Sequence, residues 1–406
     1  MRRVVITGMG VIAPLGNDVA TLTAAVEARR SAVRRMTDWN QFVGLRSLVA
    51  APAELVNERL IPRQSRRTMG RMSLFAVQAA EQAVRDAGIG AEAVKAGRFG
   101  CVIGSTMGSA ASINEAFEIM YPSRDLSLLP STKFFQCVSH TAAMNVAQYL
   151  GVTGCVMATS AACASGLQAV GEAYDLIRLG RQDAVLCGGA EELHPTVTAS
   201  FDVLFAASAG YNDDPTRTPR PFDKARDGLV CGEGAGLLIL EDYESARRRN
   251  APIHAEVVGY HTCGNGAHVS ESDREAMGTC MREALASAGA APEEVDYVSA
   301  HATATMQGDP AEAAAIRDVL GGGVPVSSLK GYFGHTLGAS GAIELILSLV
   351  MMRKGVIYPT LNLETVAADC EGIDHVMAPR EKRIRTLLKN SFAFGGINAA
   401  LVCRKV

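Results

Sequence analysis

The sequence has few aromatic residues, few charged residues and almost no net charge. Of its 406 residues, 5% are aromatic and 20% are charged, and the formal net charge is −3. A charge balance this close to zero gives no strong positive field of the kind that attracts nucleic acid. We therefore expect no nucleic-acid partner.

The sequence also lacks closely spaced cysteine pairs. Its ten cysteines are scattered, and no Cys-x-x-Cys motif occurs among them. Zinc and iron–sulfur sites usually need such pairs, so we expect no metal site. Several cysteines lie in apolar runs typical of buried strands, which suits a reducing cytoplasm better than a disulfide framework. The cysteine pattern thus predicts a cytoplasmic location.

No apolar run is long enough to cross a bilayer. The best candidate, 342–352, is interrupted by Glu344 and Ser348, whereas a membrane helix needs about 20 apolar residues. The N-terminus is basic and then apolar, but Thr7 and Gly8 interrupt it, so we interpret it as a first strand and turn rather than a signal peptide. We expect no membrane insertion.

Apolar residues make up 48% of the chain, and there are 40 glycines. This composition is typical of a compact layered α/β protein with many tight turns. Strand-like runs alternate with helical patterns along the whole chain. The predicted strands are 4–8, 99–104, 154–157, 183–189, 237–240, 255–260, 295–300 and 399–404, and the predicted helices are 17–30, 73–87, one after Cys163, 273–288 and 339–352. Residues 106–150 look like an insertion with a late helix.

The order of elements in the second half repeats that of the first. In the first half, Cys163 and its helix are followed by a Leu-Gly turn and a strand. In the second half, His335 and its helix are followed by a Lys-Gly turn and an apolar segment. We divide the chain into a half carrying the cysteine, 1–250, and a half carrying two histidines, 251–406. A duplication of this kind would let Cys163 and His335 face one cavity.

The stretch 158–166 is where we place the chemistry. Small residues surround Cys163, an apolar run that we interpret as a buried strand precedes it, and helical periodicity follows it. At the start of a helix, free N–H groups and the helix dipole stabilise an anion, which favours a thiolate. A buried structural cysteine is the alternative interpretation.

Two of the eight histidines stand beside small residues and glycines. His301 ends a predicted strand, and His335 follows a glycine-rich turn that contains Lys330. Such histidines could assist an activated cysteine, or two neutral imidazoles could donate hydrogen bonds to an oxygen that gains charge. The alternative is a surface or core histidine without a chemical role.

Four ordered motifs give the chain a specific resemblance. They are Ala-Cys163-Ala-Ser, His301-x-Thr-x-Thr-x-x-Gly-Asp, Lys330…Gly-His335-x-x-Gly-Ala and Asn-Ser-Phe392-x-Phe394-Gly-Gly. Together with the Val-Ile-Thr-Gly-Met-Gly opening, they make the whole chain resemble a β-ketoacyl-acyl-carrier-protein synthase of the elongating class (synthase I or II). The stretches 189–193 and 211–213 are more similar to synthase I. The resemblance implies the thiolase fold, with five layers αβαβα, and a homodimer.

The resemblance also implies catalytic roles. Cys163 would hold the acyl chain, and its N–H and that of Phe394 would form an oxyanion hole, with Phe394 also gating the acyl pocket. His301 and His335 would stabilise the enolate formed when malonyl-carrier loses CO2. Lys330 would support His301, and Glu344 would pair with Lys330.

The same resemblance implies substrate and partner contacts. No cofactor would be bound; substrates would arrive on the phosphopantetheine arm of acyl carrier protein. Thr303 and Thr305 would hydrogen-bond that arm, and Met107, Phe205 and Phe392 would line the substrate site. The acidic carrier would dock on a basic cluster that consists of Arg63, Arg66, Arg67, Arg71 and Arg124.

The sequence departs from the family pattern at four positions, with Ala302 and Ala393 where the family has glycine, and Met306 and Ile397 where it commonly has proline and threonine. Thiolases need a second cysteine where this chain has Phe394-Gly-Gly, and initiating synthases have asparagine where it has His335. A non-catalytic partner subunit like a chain-length factor, or a carrier-binding scaffold, remains the alternative function, although such subunits typically lose the cysteine.

Overall fold

The computed structural model describes residues 1–266, 268–269 and 271–406. The strands are β1 (Val4–Ile12), β2 (Arg34–Arg35), β3 (Val49–Ala50), β4 (Phe99–Gly104), β5 (Val156–Met157), β6 (Ala184–Glu191), β7 (Gly234–Asp242), β8 (Ala255–Gly264), β9 (Tyr297–Ser299), β10 (Pro325–Ser327), β11 (Val356–Ile357), β12 (Asp374–His375), β13 (Arg380–Glu381), β14 (Thr386–Phe392) and β15 (Ile397–Arg404).

The helices are α1 (Val19–Glu27), α2 (Arg63–Arg66), α3 (Arg71–Ala87), α4 (Ala91–Val94), α5 (Ala110–Met120), α6 (Ser131–Cys137), α7 (Thr141–Leu150), α8 (Ser165–Arg178), α9 (Pro195–Asp202), α10 (Tyr243–Arg248), α11 (Arg274–Ala288), α12 (Gly308–Leu320), α13 (Lys330–Phe333) and α14 (Ser340–Lys354).

Eleven strands join in one hydrogen-bonded order, β12-β10-β9-β14-β15-β8-β1-β7-β6-β4-β5. The order has two equivalent parts of five strands, because counting outward from the β1–β8 junction gives β1-β7-β6-β4-β5 on one side and β8-β15-β14-β9-β10 on the other, where β12 follows as an eleventh strand. In each part the first three strands are antiparallel and the last three are parallel. The duplication expected from the sequence is therefore present in the topology.

The two parts of this strand order form two sheets, and helices separate them into five layers. α3 and α7 cover the outer face of the first sheet, which begins with β1, and α11, with α12 packed against it, covers the outer face of the second, which begins with β8. The central layer is α8 and α14, which contact each other and both sheets. α14 is buried along nearly its whole length, since it has protein on all sides and therefore needs no polar face. The αβαβα thiolase fold predicted from the resemblance is confirmed.

Some predicted elements need correction. Strand β5 was predicted to be buried, but Val156 and Met157 are 45% and 37% exposed, because β5 is the last strand of the sheet. The predicted insertion at 106–150 contains three helices, α5, α6 and α7. The boundary between 1–250 and 251–406 stays a prediction.

In the described residues, no helix is both long enough and apolar enough to cross a membrane. All ten cysteines are free thiols.

Candidate active site

The predicted catalytic residues follow strands of the two sheets. Cys163 lies in the turn between β5 and α8, and His301 follows β9 directly. Lys330 begins α13 after β10, and Phe394 follows β14. Because β9, β10 and β14 are parallel neighbours, their carboxyl ends meet at one edge of the sheet, which is where α/β proteins usually place their sites.

The turn around Cys163 has an unusual backbone. Ala162 adopts a left-handed φ of 46°, and α8 begins two residues after the cysteine, at Ser165. The Ser165 hydroxyl accepts a hydrogen bond from Ala161 N–H at 2.8 Å and donates to Ala162 O at 2.6 Å. These bonds fix the turn, and they place the cysteine at the helix N-terminus as the sequence predicted.

The electrostatics of Cys163 differ from the expectation. Burial raises the pKa of its thiol to about 12, although Lys330 and the backbone N–H groups of Cys163 and Phe394 act in the opposite direction. The helix N-terminus alone does not overcome the loss of solvation, so the resting side chain is a thiol rather than the predicted thiolate.

His301 and His335 face each other beside the cysteine. Their ring centroids are 5.1 Å apart, and the Cys163 sulfur and one nitrogen of each ring lie within 4.8 Å of one another. Burial, followed by the charge of Lys330, holds the pKa of both imidazoles well below its usual value, so both are neutral. Within the described chain, both nitrogens of His335 and Nδ1 of His301 have no hydrogen-bond partner.

Lys330 and Glu344 are paired as the sequence predicted. The Lys330 ammonium donates to a Glu344 oxygen at 2.6 Å and to the His301 carbonyl oxygen at 2.5 Å. Both side chains are fully buried. The pair therefore fixes the backbone that carries His301.

Sequence reasoning missed a second buried lysine at the same carboxylate. Lys389, in the middle of β14, donates to the other Glu344 oxygen at 2.5 Å and is 0% exposed. A lysine inside a strand, here directly after Leu387 and Leu388, is rarely buried without a partner. That signal was available in the sequence.

Three further buried carboxylates, to which the sequence analysis assigned no role, hold the active-site loops. Glu312 accepts from the backbone N–H groups of His301 and Ala302 at 2.8 and 2.6 Å. Asp309 accepts from the N–H groups of Phe222 and Ala304, at 2.7 and 3.0 Å respectively. Burial raises the pKa of Asp309 to about 7.

The third carboxylate connects the two halves. Glu191 accepts from the N–H groups of Thr106 and Gly338 at 2.7 and 3.0 Å, and burial raises its pKa to about 7. The halves approach so closely here that a Cβ atom on Gly166 would lie 2.4 Å from the Gly338 carbonyl oxygen.

A cavity opens onto Cys163, His301 and His335. Of the predicted substrate residues, Thr303, Thr305 and Phe392 line it, and so does Phe394. The hydroxyl oxygens of Thr303 and Thr305 are 3.2 Å apart.

Phe394 lines this cavity and also packs against an apolar cluster that includes Cys163, Phe201 and Leu229. Its ring centroid is 5.9 Å from that of Phe201. This is a suitable position for a gate.

Two predicted substrate residues are not in the cavity. Met107 is 43% exposed and Phe205 is 77% exposed; the Phe205 ring stacks instead under the Arg46 guanidinium at 4.0 Å. Neither is among the residues that line the cavity within the described chain. The structure therefore does not bring Met107 or Phe205 to Cys163.

The predicted docking arginines do not form one group. Arg71 binds Glu233 through two hydrogen bonds of 3.0 and 2.7 Å, and its partner is buried. Arg66 donates to the Ile61 carbonyl at 3.0 Å. Arg71 therefore holds the fold rather than contributing to a free basic surface, and the predicted cluster is smaller than expected.

Arg63, Arg67 and Arg124 are exposed. Within the described chain, none of the three forms an ion pair.

The Cys163, His301 and His335 group has the ligand types and the spacing to hold a metal ion such as zinc. The fit is poor, however, because the charge of Lys330 acts on all three side chains. A dication there would be repelled by the buried Lys330, although Glu344 offsets part of that charge.

The four departures from the family pattern occupy different environments. Ala302 is buried, and its N–H binds Glu312. Ala393 N–H donates to the Ile397 carbonyl at 2.8 Å, closing the loop that carries Phe394. Met306 is 58% exposed. Of these departures from the family pattern, Ala393 thus lies closest to the gate residue, Phe394.

Comparison with known proteins gives matches along the whole chain. The model of the β-ketoacyl synthase N-terminal domain matches residues 1–246, and that of the C-terminal domain matches residues 254–364. The 3-oxoacyl-[acyl-carrier-protein] synthase 2 of Coxiella burnetii (strain RSA 493 / Nine Mile phase I) is 36% identical over 413 residues, covering 100% of this chain and 99% of that protein.

Solved structures are similar over the same extent. A β-ketoacyl synthase from Burkholderia phymatum STM815 is 44% identical with a TM-score of 0.96, and the alignment covers 100% of both chains. AntDE:AntF, a type II PKS acyl-carrier protein in complex with its ketosynthase bound to the hexaketide, is 33% identical with a TM-score of 0.92, covering 100% of this chain and 99% of that one.

Proposed function

The chain belongs to the β-ketoacyl synthase family, and from this premise we propose that it is a condensing acyltransferase, a 3-oxoacyl-[acyl-carrier-protein] synthase. It would elongate an acyl chain by decarboxylative Claisen condensation with malonyl-carrier. The observation that carries the proposal is the convergence of the Cys163 sulfur and two neutral imidazoles within 4.8 Å. One nucleophile and two uncharged hydrogen-bond donors are what this reaction needs.

In the first step, the Cys163 sulfur attacks the carbonyl carbon of an acyl thioester. A sulfur–carbon bond to the enzyme forms, and the bond to the phosphopantetheine sulfur breaks. Since the thiol has a pKa of about 12, its proton must leave as the attack occurs. A neutral imidazole within 4.8 Å can accept that proton and pass it to the departing pantetheine thiolate.

In the second step, malonyl-carrier loses CO2 beside His301 and His335. The carbon–carbon bond breaks, and its electron pair forms the enolate of the thioester. A neutral imidazole can donate one N–H to the enolate oxygen, and two donors in a water-excluded site stabilise the developing charge strongly. No base is needed, because the leaving group is CO2 rather than a proton.

In the third step, the enolate carbon attacks the acyl-Cys163 carbonyl. The oxygen of the tetrahedral intermediate gains charge where the backbone N–H groups of Cys163 and Phe394 already interact with the sulfur. Collapse of this intermediate expels the Cys163 thiolate and releases the β-ketoacyl-carrier. The thiolate takes up a proton from solvent, which is the one proton that the overall reaction consumes, and the site is ready for another acyl group.

The substrate reaches Cys163 through the cavity, without a bound cofactor. Thr303 and Thr305 lie on its wall, where their hydroxyl groups can hydrogen-bond the phosphopantetheine arm. Phe394, next to Phe201, separates the arm from the apolar cluster that would receive the acyl chain.

Two partners follow from this function. The first is acyl carrier protein, and the carrier bound to the similar ketosynthase of AntDE:AntF supports it. The exposed Arg63, Arg67 and Arg124 would meet its acidic surface.

The second partner is another copy of this chain. The open edge of β5 and the exposed apolar side chains of Phe134 and Phe135, 67% and 41% exposed, suit a homodimer contact.

The test is incubation of the purified chain with malonyl-carrier and acyl-carriers of graded length, with products identified by mass. We expect β-ketoacyl products two carbons longer than the primer, CO2 release, and loss of both with Cys163→Ala. A chain that neither condenses nor releases CO2 would be a partner subunit or scaffold instead. The preferred primer length distinguishes a fatty acyl substrate from a polyketide-like one.

A further inference from the structure

Lys389 belongs to a buried group of charges beneath the histidines. Its ammonium has three acceptors, which are Glu344 Oε2 at 2.5 Å, the Asn390 carbonyl at 2.8 Å and the Ser299 carbonyl at 3.5 Å. An ammonium has three N–H donors and a neutral amine has two. The set of acceptors therefore matches the charged form, even though burial lowers the pKa of Lys389.

The charges of this group balance only when Lys389 is included. Lys330 and Lys389 bind the two oxygens of Glu344, and Glu312 is the second carboxylate that acts on Lys389. Two ammonium groups thus face two carboxylates. Without Lys389, acidic groups would exceed basic ones directly beneath a site that must accept an enolate.

The influence of Lys389 extends to both histidines. Burial is the main cause of the lowered pKa of both imidazoles, the charge of Lys330 comes next, and the charge of Lys389 acts in the same direction on each ring. Lys389 is also linked to His301 through a chain of hydrogen bonds. The side chain of Asn390, its neighbour in sequence, donates to Glu312 at 3.1 Å, and Glu312 in turn binds the His301 backbone.

We propose that Lys389 is a positioning residue for the condensation reaction, whose buried positive charge offsets Glu344 and Glu312 beneath His301 and His335 and so keeps their site receptive to the enolate. The proposal rests on the proposed function for its catalytic part. Its electrostatic part concerns the resting protein and can be measured without substrate.

The test compares Lys389→Met, which keeps the length of the side chain without its charge, with Lys389→Arg, which keeps the charge. NMR titration of the histidine rings in the full-length protein is the first readout. In Lys389→Met we expect both imidazoles to protonate at higher pH, with a change on the order of tenfold in the protonation ratio at a given pH. Lys389→Arg should titrate like the unmodified protein.

The second readout is malonyl-carrier decarboxylation. We expect kcat to fall about tenfold in Lys389→Met with KM little changed, because the lost charge acts on the enolate rather than on carrier binding. Lys354→Met is the matched control. It removes an ion-paired lysine at a partly exposed position, bonded to Glu27 at 2.5 Å, and should change neither readout.

Unchanged imidazole titration in a folded Lys389→Met protein would overturn the proposal, as would equal losses of activity in the Met and Arg variants. Thermal melting checks that each variant folds. If Lys389→Met does not fold, the double variant Lys389→Met with Glu344→Gln removes one charge of each sign, and its imidazoles should titrate as in the unmodified protein. A third outcome separates the two proposals. If the histidine titration shifts as expected, but neither the unmodified protein nor any variant decarboxylates malonyl-carrier, then the proposed function is wrong and the electrostatic role of Lys389 stands.

Discussion

The imidazole rings of His301 and His335 meet edge to face, with centroids 5.1 Å apart and 81° between their planes. His301 comes from the end of β9 and His335 from the loop after α13, so the pair exists only because β9 and β10 are neighbours. Both rings are buried and neutral. The two therefore form a single hydrogen-bonding unit for one small oxygen atom.

This pairing predicts that each histidine is needed for decarboxylation but less so for acylation. We expect His301→Ala and His335→Ala each to slow CO2 release from malonyl-carrier by about 10²–10³-fold, the usual loss for one donor to a developing oxyanion. Both variants should keep some transfer of acyl groups to Cys163. A variant that releases CO2 at the normal rate would remove that histidine from the mechanism.

The buried thiol predicts an unusual pH dependence of alkylation. Because the pKa of Cys163 is about 12, the thiolate fraction, and with it the rate of reaction with iodoacetamide, should rise about tenfold per pH unit between pH 7 and 10. Mass spectrometry of the peptide containing Cys163 measures that rate separately from the nine other cysteines. A plateau beginning near pH 7 would show an activated thiolate in the resting protein instead.

The acyl group itself should appear on the same residue. After incubation with acyl-carrier, peptide mapping should find the acyl mass on Cys163 and not on Cys155 or Cys187. Cys187 is buried within the sheet on β6, and Cys155 precedes the edge strand β5. Acylation of either in place of Cys163 would mean that the nucleophile has been misassigned.

The metal-like spacing of Cys163, His301 and His335 gives a separate prediction. If the three side chains act as nucleophile and hydrogen-bond donors, prolonged treatment with a chelator should leave condensation unchanged. Excess Zn²⁺ should not increase the rate of condensation, because the Cys163 sulfur would then be occupied by the metal. Activity that is lost on chelation and restored by metal would require a different mechanism.

Much of this architecture could be predicted from local sequence. The limits of β4 at Phe99–Gly104 were predicted to the residue, because a continuous apolar run bounded by glycine and polar residues is a strong strand signal. The turn at Cys163 was predicted for a similar reason, since small residues separate an apolar run from a helical pattern. These features depend on neighbours in sequence.

The features that the sequence analysis did not predict depend on residues that are neighbours in space. Nothing near β5 in sequence shows that it lies at the sheet edge, so its apolar residues were expected to be buried. Arg71 belongs to a basic run in sequence, but its partner Glu233 is 162 positions away. Lys389 similarly meets Glu344 only because β14 packs against α14. Pairings of this kind require the topology, which local patterns do not supply.

The separation of Arg71 from the exposed arginines changes what substitution should do at each position. Within the described chain, Arg71→Gln leaves the buried Glu233 carboxylate with only the backbone N–H groups of Ala53 and Leu193 as donors, and we expect a loss of about 1–3 kcal/mol in the free energy of unfolding. That loss should appear in thermal or denaturant unfolding. Any loss of activity should be equal for carrier-bound and small pantetheine thioesters, since the effect is on folding rather than docking.

Arg63 and Arg67 should behave in the opposite way. Both are exposed, and exposed charges at the rim of an interface mainly set the rate of encounter and its salt dependence, with screening substantial beyond about 8–10 Å. Changing Arg63 and Arg67 to Glu should raise the apparent KM for carrier-bound substrate severalfold and flatten its dependence on salt. The free energy of unfolding should be nearly unchanged, because neither substitution leaves a buried carboxylate without an ion-pair partner.

The small pantetheine thioester is the control for this last prediction. It reacts at the same cysteine but is too short to reach the arginines, so its kcat/KM should not change in the double variant. Steady-state kinetics with both substrates at two or more salt concentrations give the comparison. Equal losses on both substrates would place Arg63 and Arg67 with Arg71 as residues that hold the fold, and carrier docking would then have to occur on another surface.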